Sequence, residues 1–221
     1  MNLTEAMNAR HSVRQYINKP LEAQEIEALE KEINVCNRES GLHIQLVINE
    51  PKAFDGFMAH YGKFSGVTNY IALIGKKGSD LEEKCGYYGE RLVLLAQQLG
   101  LNTCWVAMTY SKIKSAFVID NGEKLCIVIA LGYGKTQGNA HKSKAIDDVI
   151  KTEGDYPEWF QKGVEAALLA PTAMNQQKFL FTQKDNQVSV KAGFGFYTKI
   201  DMGIVKYHFE IGAGKNNFEW I

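Results

Sequence analysis

The chain has 221 residues, 45% of them hydrophobic and 23% charged, enough for one large domain or two small lobes around an ordinary core. Its 25 basic residues balance 25 acidic ones, which argues against nucleic acid or an anionic membrane surface as partner, since both select a basic excess. No apolar run approaches the ~20 residues of a membrane span, and residues 1–20 carry no charged head followed by an apolar stretch, so a cytoplasmic protein is expected.

Helical and strand patterns alternate along the chain. A short helix is expected over 4–10 with Thr4 as its cap, and a second over 21–34, where Ile26, Ala28, Leu29 and Ile33 fall near one face after Pro20. Residues 43–49 alternate as a strand ended by Pro51, and Tyr70–Ile74 is a compact apolar strand before Gly75. Leu92, Leu95, Ala96 and Leu99 share one helix face that Gly100 terminates. A strand over Thr103–Ala107 and a short helix near 111–117 follow. Leu125–Leu131, apolar at every position, reads as a central strand broken by Gly132-Tyr133-Gly134. Residues 135–155 are polar and glycine-containing, a connector. Beyond it come a helix from Pro157 to Pro171, strands over 178–183 and 187–192, and a last helix from about 201 to 212. The C-terminal third thus repeats the helix, strand, strand, helix order of the first half, as an internal duplication would.

Four tracts carry candidate chemistry. Arg10-His11-Ser12-Val13-Arg14 sets two guanidiniums four positions apart around a short hydroxyl and closes on Tyr16. Forked, charge-assisted donors of this kind grip a phosphate, although a solvated polar loop has the same look. Gly100-Leu101-Asn102-Thr103-Cys104-Trp105-Val106-Ala107-Met108 enters a strand from a helix end. Ala170-Pro171-Thr172-Ala173-Met174-Asn175-Gln176 ends a helix with small residues, which allow a backbone to approach a flat ligand, followed by amides that can reach ring edges. His141-Lys142-Ser143-Lys144 is a basic loop whose lysines could neutralise a phosphate. The four cysteines, Cys36, Cys85, Cys104 and Cys126, show no metal-ligand spacing and read as reduced thiols. Gly212-Ala213-Gly214-Lys215 lacks the flanking residues of a P-loop, Gly193-Phe194-Gly195 lacks the third glycine of a dinucleotide fingerprint, and no Gly-x-Ser-x-Gly occurs. His208 reads as a packed or surface histidine, Phe194, Phe196 and Tyr197 as core aromatics, and Phe218 and Trp220 as a packing anchor.

Taken together, the four tracts make the chain resemble the nitroreductase family of FMN-dependent oxidoreductases, and within it a branch of short, internally duplicated members. Arg10, Ser12, Arg14 and Tyr16 match its Arg-x-Ser-x-Arg-x-aromatic opening. Pro171, Thr172, Asn175 and Gln177 match its Pro-Ser-x-x-Asn-x-Gln element, with Thr for Ser. Gly100, Leu101 and Trp105 match its Gly-Leu segment, and Lys142 and Lys144 its late Lys-x-Arg. The likeness spans nearly the whole chain. It implies an α+β fold with a central, mainly antiparallel sheet, flanking helices and pseudo-duplicated lobes: an N-terminal lobe of about 1–135, a connector of about 136–155 and a C-terminal lobe of about 156–221, in one nitroreductase-like domain.

By the same resemblance the chain binds FMN, takes hydride from NAD(P)H and passes it by ping-pong exchange to a small electron-poor acceptor such as a nitroaromatic, a quinone or a flavin. Arg10, Ser12, Arg14, Lys142 and Lys144 would hold the phosphate and His11 would lie beside the ribityl chain. Trp105, Val106, Ala107 and Met108 would run along the ring, and Pro171, Thr172, Ala173 and Asn175 would approach from the other lobe, with Lys63 or Asn69 at the pyrimidine edge. No catalytic side chain and no metal are implied. One departure is large: typical members carry the Pro-Ser-x-x-Asn element soon after the arginine tract and build each site between two chains, whereas here that region reads Ile33-Asn34-Val35-Cys36-Asn37. The expectation is that the C-terminal lobe supplies the partner's share, giving a monomeric pseudo-dimer. A non-catalytic FMN-binding redox sensor or carrier is the alternative.

Overall fold

The computed structural model describes residues 1–152 and 155–221, so residues 153 and 154 of the expected connector lie outside the described residues. The first helix, α1 (Leu3–Ala9), is capped by Asn2 and not by Thr4: Asn2 accepts from the Glu5 N–H and Glu5 reaches back to the Asn2 N–H, both at 2.9 Å. The next, α2 (Ala23–Ser40), runs beyond the expected end at 34 because its first left-handed residue is Gly41, at φ 71°. Ile33–Asn37 is therefore helix.

Four antiparallel strands form the central sheet: β1 (Gln45–Val47), β2 (Asn69–Lys76), β3 (Asn102–Val106) and β4 (Glu123–Gly132), in the order β1-β2-β4-β3. The two inner strands are apolar on both faces because both faces are covered. Ile71, Leu73, Ile127, Ile129 and Leu131 pack towards the long helix α4 (Leu81–Gln98) and the C-terminal lobe. Tyr70, Ala72, Ile74, Val128 and Ala130 pack towards Phe54, Ala59 and Phe64, around the short helix α3 (Phe57–Tyr61). No helix forms near 111–117. That segment runs as turns, and its apolar spacing reflects Ile113, Ala116 and Phe117 inserting into this second core.

The C-terminal lobe contributes α5 (Glu158–Leu168), β5 (Phe179–Lys184), β6 (Gln187–Ala192), α6 (Thr198–Ala213) and β7 (Glu219–Trp220). Its strands make a separate sheet, β5-β6-β7, in which β7 joins β6 in parallel. Phe160, Phe181 and Phe209 are fully buried at its centre. Phe218 stacks on Trp159 at 5.9 Å, and the Trp220 N–H bonds Glu210 at 2.9 Å, so this end of the chain is an anchor. Phe194 and Phe196 are not core: they are 99% and 75% exposed on the loop between β6 and α6. The pattern α2-β1-β2-α4 recurs as α5-β5-β6-α6, with α3 as an addition in the first copy.

The lobes meet where α4 crosses α6. A Cβ on Gly86 would overlap the Ile200 carbonyl, and one on Gly203 would overlap the Glu83 carbonyl and the Tyr87 nitrogen. The two helices touch backbone to backbone, and only glycine permits that approach. Cys36, Cys85 and Cys104 are buried and Cys126 half-buried; all four are free thiols. No helix is long and apolar enough to cross a membrane among the described residues.

Candidate functional site

The arginine tract is stitched to the sheet edge. Ser12 bridges Thr103 in parallel, and the Val13 N–H donates to the Thr103 carbonyl at 3.0 Å, so the tract runs as an extra short strand beside β3. Strand alternation then sorts its side chains: Val13 enters the core while Ser12 and Arg14 stand out on the cleft side. The same alternation divides the third tract. Trp105 and Ala107 face the cleft, whereas Val106 is buried in the second core and Met108 is exposed outside the cleft lining. Trp105 packs against α4 at Gly89, where a side chain would collide with its ring.

The opposing wall belongs to the C-terminal lobe. A single cleft of about 160 Å³ is lined by Ser12, Arg14, Trp105 and Ala107 on one side and by Pro171, Thr172, Ala173 and Met174 on the other, with Tyr197, Ile200, Asp201 and Ile204 closing it from α6. The structure therefore brings seven of the expected site residues around one space: Ser12, Arg14, Trp105, Ala107, Pro171, Thr172 and Ala173. A larger, shallower depression of about 1140 Å³ lies on the outer face of the C-terminal lobe around Lys151, Trp159, Leu180 and Lys191, and it contains none of the tracts.

The remaining expected residues sit elsewhere. Arg10 is 3% exposed and points under the sheet edge, with Nε 3.8 Å from Glu90 and no hydrogen-bond partner. Burial pushes its guanidinium below the usual arginine range, opposed by the Glu90 charge. With His11, Asn8, His141 and Ser143 it lines a second cavity of about 170 Å³. Burial and the neighbouring Arg10 charge hold His11 below the ordinary histidine range. Lys142 and Lys144 are exposed and outside the cleft. The Lys144 ammonium donates to the Gln177 carbonyl at 2.8 Å, and the Lys142 carbonyl accepts from Asn175 at 2.9 Å and from Gln177 at 2.8 Å. Asn175 thus spends its amide on the strap 138–144, not on the cleft.

This strap ties the two walls together. Gly138 presses on His11 and Ser12, where a side chain would collide, and His141 and Ser143 both reach the Leu168 carbonyl, at 2.8 and 3.2 Å. The Pro171–Gln177 corner itself is held by side chains. Gln177 accepts from the Lys144 N–H at 2.9 Å, and its own N–H donates to Thr172 at 3.0 Å. Met174, Asn175 and Gln177 all adopt positive φ, 52°, 53° and 44°. Three non-glycine residues in that region need such external bonds to stay there.

Two acidic groups, Glu90 and Asp201, were not among the expected site residues. Glu90 and His208 are fully buried beneath Trp105: the Trp105 N–H donates to Glu90 at 3.0 Å, His208 Nε2 meets the same carboxylate at 2.9 Å, and His208 Nδ1 meets the Ala166 carbonyl at 3.0 Å. A carbonyl can only accept, so Nδ1 carries a proton. His208 is a packed histidine with an ionic partner. Asp201 is the other omission, although an acid in the otherwise apolar run Asp201–Val205 was a visible signal.

Fold and cleft define an α+β protein with a cleft between a strand edge bearing Arg14 and a corner of small residues from a second lobe. The family described as "Putative TM nitroreductase" matches residues 2–213, and the chain belongs to that nitroreductase family. Among solved structures, a "putative nitroreductase" from Thermotoga maritima shares 23% identity and a TM-score of 0.66, over 98% of this chain and 85% of its own. One from Desulfovibrio desulfuricans, in complex with FMN, shares 13% identity and a TM-score of 0.54, over 71% of this chain and 99% of its own. A "Putative NADH dehydrogenase/NAD(P)H nitroreductase" from Parabacteroides distasonis shares 20% identity and a TM-score of 0.53, over 67% of this chain and 97% of its own. No curated protein matches the chain by sequence.

Proposed function

We propose that this chain is a cytoplasmic FMN-dependent oxidoreductase that moves hydride from NAD(P)H to a small electron-poor acceptor, a nitroaromatic, quinone or flavin, by ping-pong exchange. The observation that carries the reading is the shared cleft, in which Ser12, Arg14, Trp105 and Ala107 oppose Pro171, Thr172 and Ala173. Family membership and the FMN bound by the Desulfovibrio desulfuricans relative support the cofactor assignment. So does the donor set of the cleft itself, where Arg14 and Ser12 stand on the strand wall.

Arg14 and Ser12 would hold the phosphate through charge-assisted bonds, whereas Arg10, Lys142 and Lys144 lie outside the cleft. His11 would border the ribityl chain. Trp105 and Ala107 would form one wall for the ring, with the backbone of Val106 and Met108 between and beyond them, and Pro171, Thr172 and Ala173 would supply the other. Bound FMN supplies the hydride chemistry, and the protein contributes orientation and exclusion of water. Both walls come from one chain, so we further propose one site per monomer, with the C-terminal lobe in the place of a partner chain.

Titration of the protein with FMN, followed by stopped-flow mixing with NADH or NADPH and then a nitroarene or quinone, tests this reading. Saturable binding, rapid bleaching of the flavin and reoxidation by the acceptor are expected. Binding without turnover would make the chain a redox carrier or sensor, and no binding would overturn the assignment.

A further inference from the structure

Asp201 stands on the cleft wall and is 6% exposed. It is the only carboxylate among the residues lining that space, and Arg14 is the only cation. Both of its partners are donors. The Ala173 N–H reaches Oδ1 at 2.9 Å and Gln176 Nε2 reaches Oδ2 at 2.7 Å. The orientation of the Gln176 amide is set independently, because the same Nε2 donates to the Phe196 carbonyl at 2.7 Å, and a carbonyl cannot donate in return. A proton added to Asp201 therefore finds no acceptor among these partners and is left to face the cleft.

We propose that Asp201 is the proton donor of the cleft, giving its carboxyl proton to the oxygen of the acceptor that is being reduced. The inference rests on the function proposed above. A two-electron acceptor takes up one hydride and one proton. For a quinone, hydride from the reduced cofactor and the proton from Asp201 yield the hydroquinone. For a nitro compound they yield the nitroso compound and water. In each case the Asp201 O–H bond breaks, an O–H bond forms on the acceptor, and water at the cleft mouth reprotonates the carboxylate.

Burial raises the Asp201 carboxyl to about 6, against the opposing pull of the Ala173 and Gln176 bonds, so a protonated fraction persists at neutral pH. The other titratable or charged groups lining the cleft are Arg14 on the tract, Cys104 on β3 and Tyr197 beside the start of α6. Burial, and not any of these charges, is the leading cause.

The test separates the two half-reactions. FMN-loaded wild type and Asp201→Asn are reduced with NADH and then mixed with a quinone between pH 5 and 9. In the wild type the acceptor step is expected to slow by about tenfold per pH unit above about 6. In Asp201→Asn that slope disappears and the rate near pH 6 falls at least about tenfold. A flat wild-type profile, or the same profile in the variant, overturns the proposal even where FMN binds and is reduced. A protein that takes up no FMN overturns the functional reading and the proton donor together. A second readout needs neither cofactor nor variant activity: in cofactor-free protein labelled with 13C-carboxyl aspartate, one resonance is expected to titrate near 6, and titration of every aspartate near its ordinary value overturns the proposal.

Discussion

The two walls of the cleft are built on opposite principles. The wall of Ser12, Arg14, Trp105 and Ala107 hangs on backbone bonds: the tract joins β3 through Val13 and Thr103, and β3 is laddered to β4 over Asn102–Val106. The wall of Pro171–Gln177 has no ladder. It is a corner with three non-glycine residues at positive φ, fixed by Asp201, Thr172, Gln177 and Lys142 through bonds between side chain and backbone. A ladder makes a side chain's direction follow from strand alternation, whereas a corner tied by side chains depends on residues far apart in sequence.

The difference yields predictions, beginning with the strand wall's foundation. Glu90→Ala leaves the buried Arg10 and His208 without their common carboxylate and is expected to cost about 3–5 kcal/mol in denaturant unfolding. A loss below about 1 kcal/mol would mean that the Glu90 cluster does not support Trp105. Gly203→Val drives a side chain into the backbone of α4 and should cost about 3 kcal/mol, or unfold the protein outright. An unchanged melting temperature would contradict the close helix crossing.

The corner wall has its own signature in pH. The Asp201 carboxyl lies above its ordinary 3.8, at about 6, so its ionisation opposes folding. Below 3.8 both states are protonated and no penalty exists; as pH rises to about 6 the penalty grows to about 3 kcal/mol and then levels off. Measured against Asp201→Asn, wild-type stability should therefore fall by an amount approaching that figure between pH 4 and 7. A constant difference would place the carboxyl at its ordinary value.

Smaller effects complete the comparison. Arg14→Ala removes one charge-assisted grip and should weaken FMN binding by about 10- to 100-fold in a fluorescence titration, with little change in stability. Equal affinity would remove Arg14 from the site. Met174→Gly relieves a left-handed methionine and should stabilise the fold by about 0.5 kcal/mol; destabilisation would show that the exposed side chain makes contacts of its own.

Much of the strand wall was legible in the sequence. Apolar periodicity located β2, β4 and the latter half of α4, and Gly100 marked a helix end. The antiparallel sheet with flanking helices followed from the family resemblance, which the family match then established. Where local pattern misled, the tertiary fold overruled it, by burial in one place and by exposure in another. Ile113, Ala116 and Phe117 have helical spacing but fill a core as a loop. Phe194 and Phe196 have core composition but stand in solvent. The resemblance grouped Arg10 with Ser12 and Arg14, yet Arg10 is the C-cap of α1, ahead of the paired part of the tract, and its guanidinium lies beside the buried Glu90 of a distant helix, lining another cavity. Asp201 escaped notice because its partners, Ala173 and Gln176, are joined to it by the fold and not by spacing.

The central claim is that a strand edge and a corner of the same chain enclose one FMN. Native mass spectrometry of protein reconstituted with excess FMN tests it directly. A single chain carrying one FMN is expected; a chain that retains none, or flavin held only by a two-chain particle, would show that the two walls do not share one cofactor.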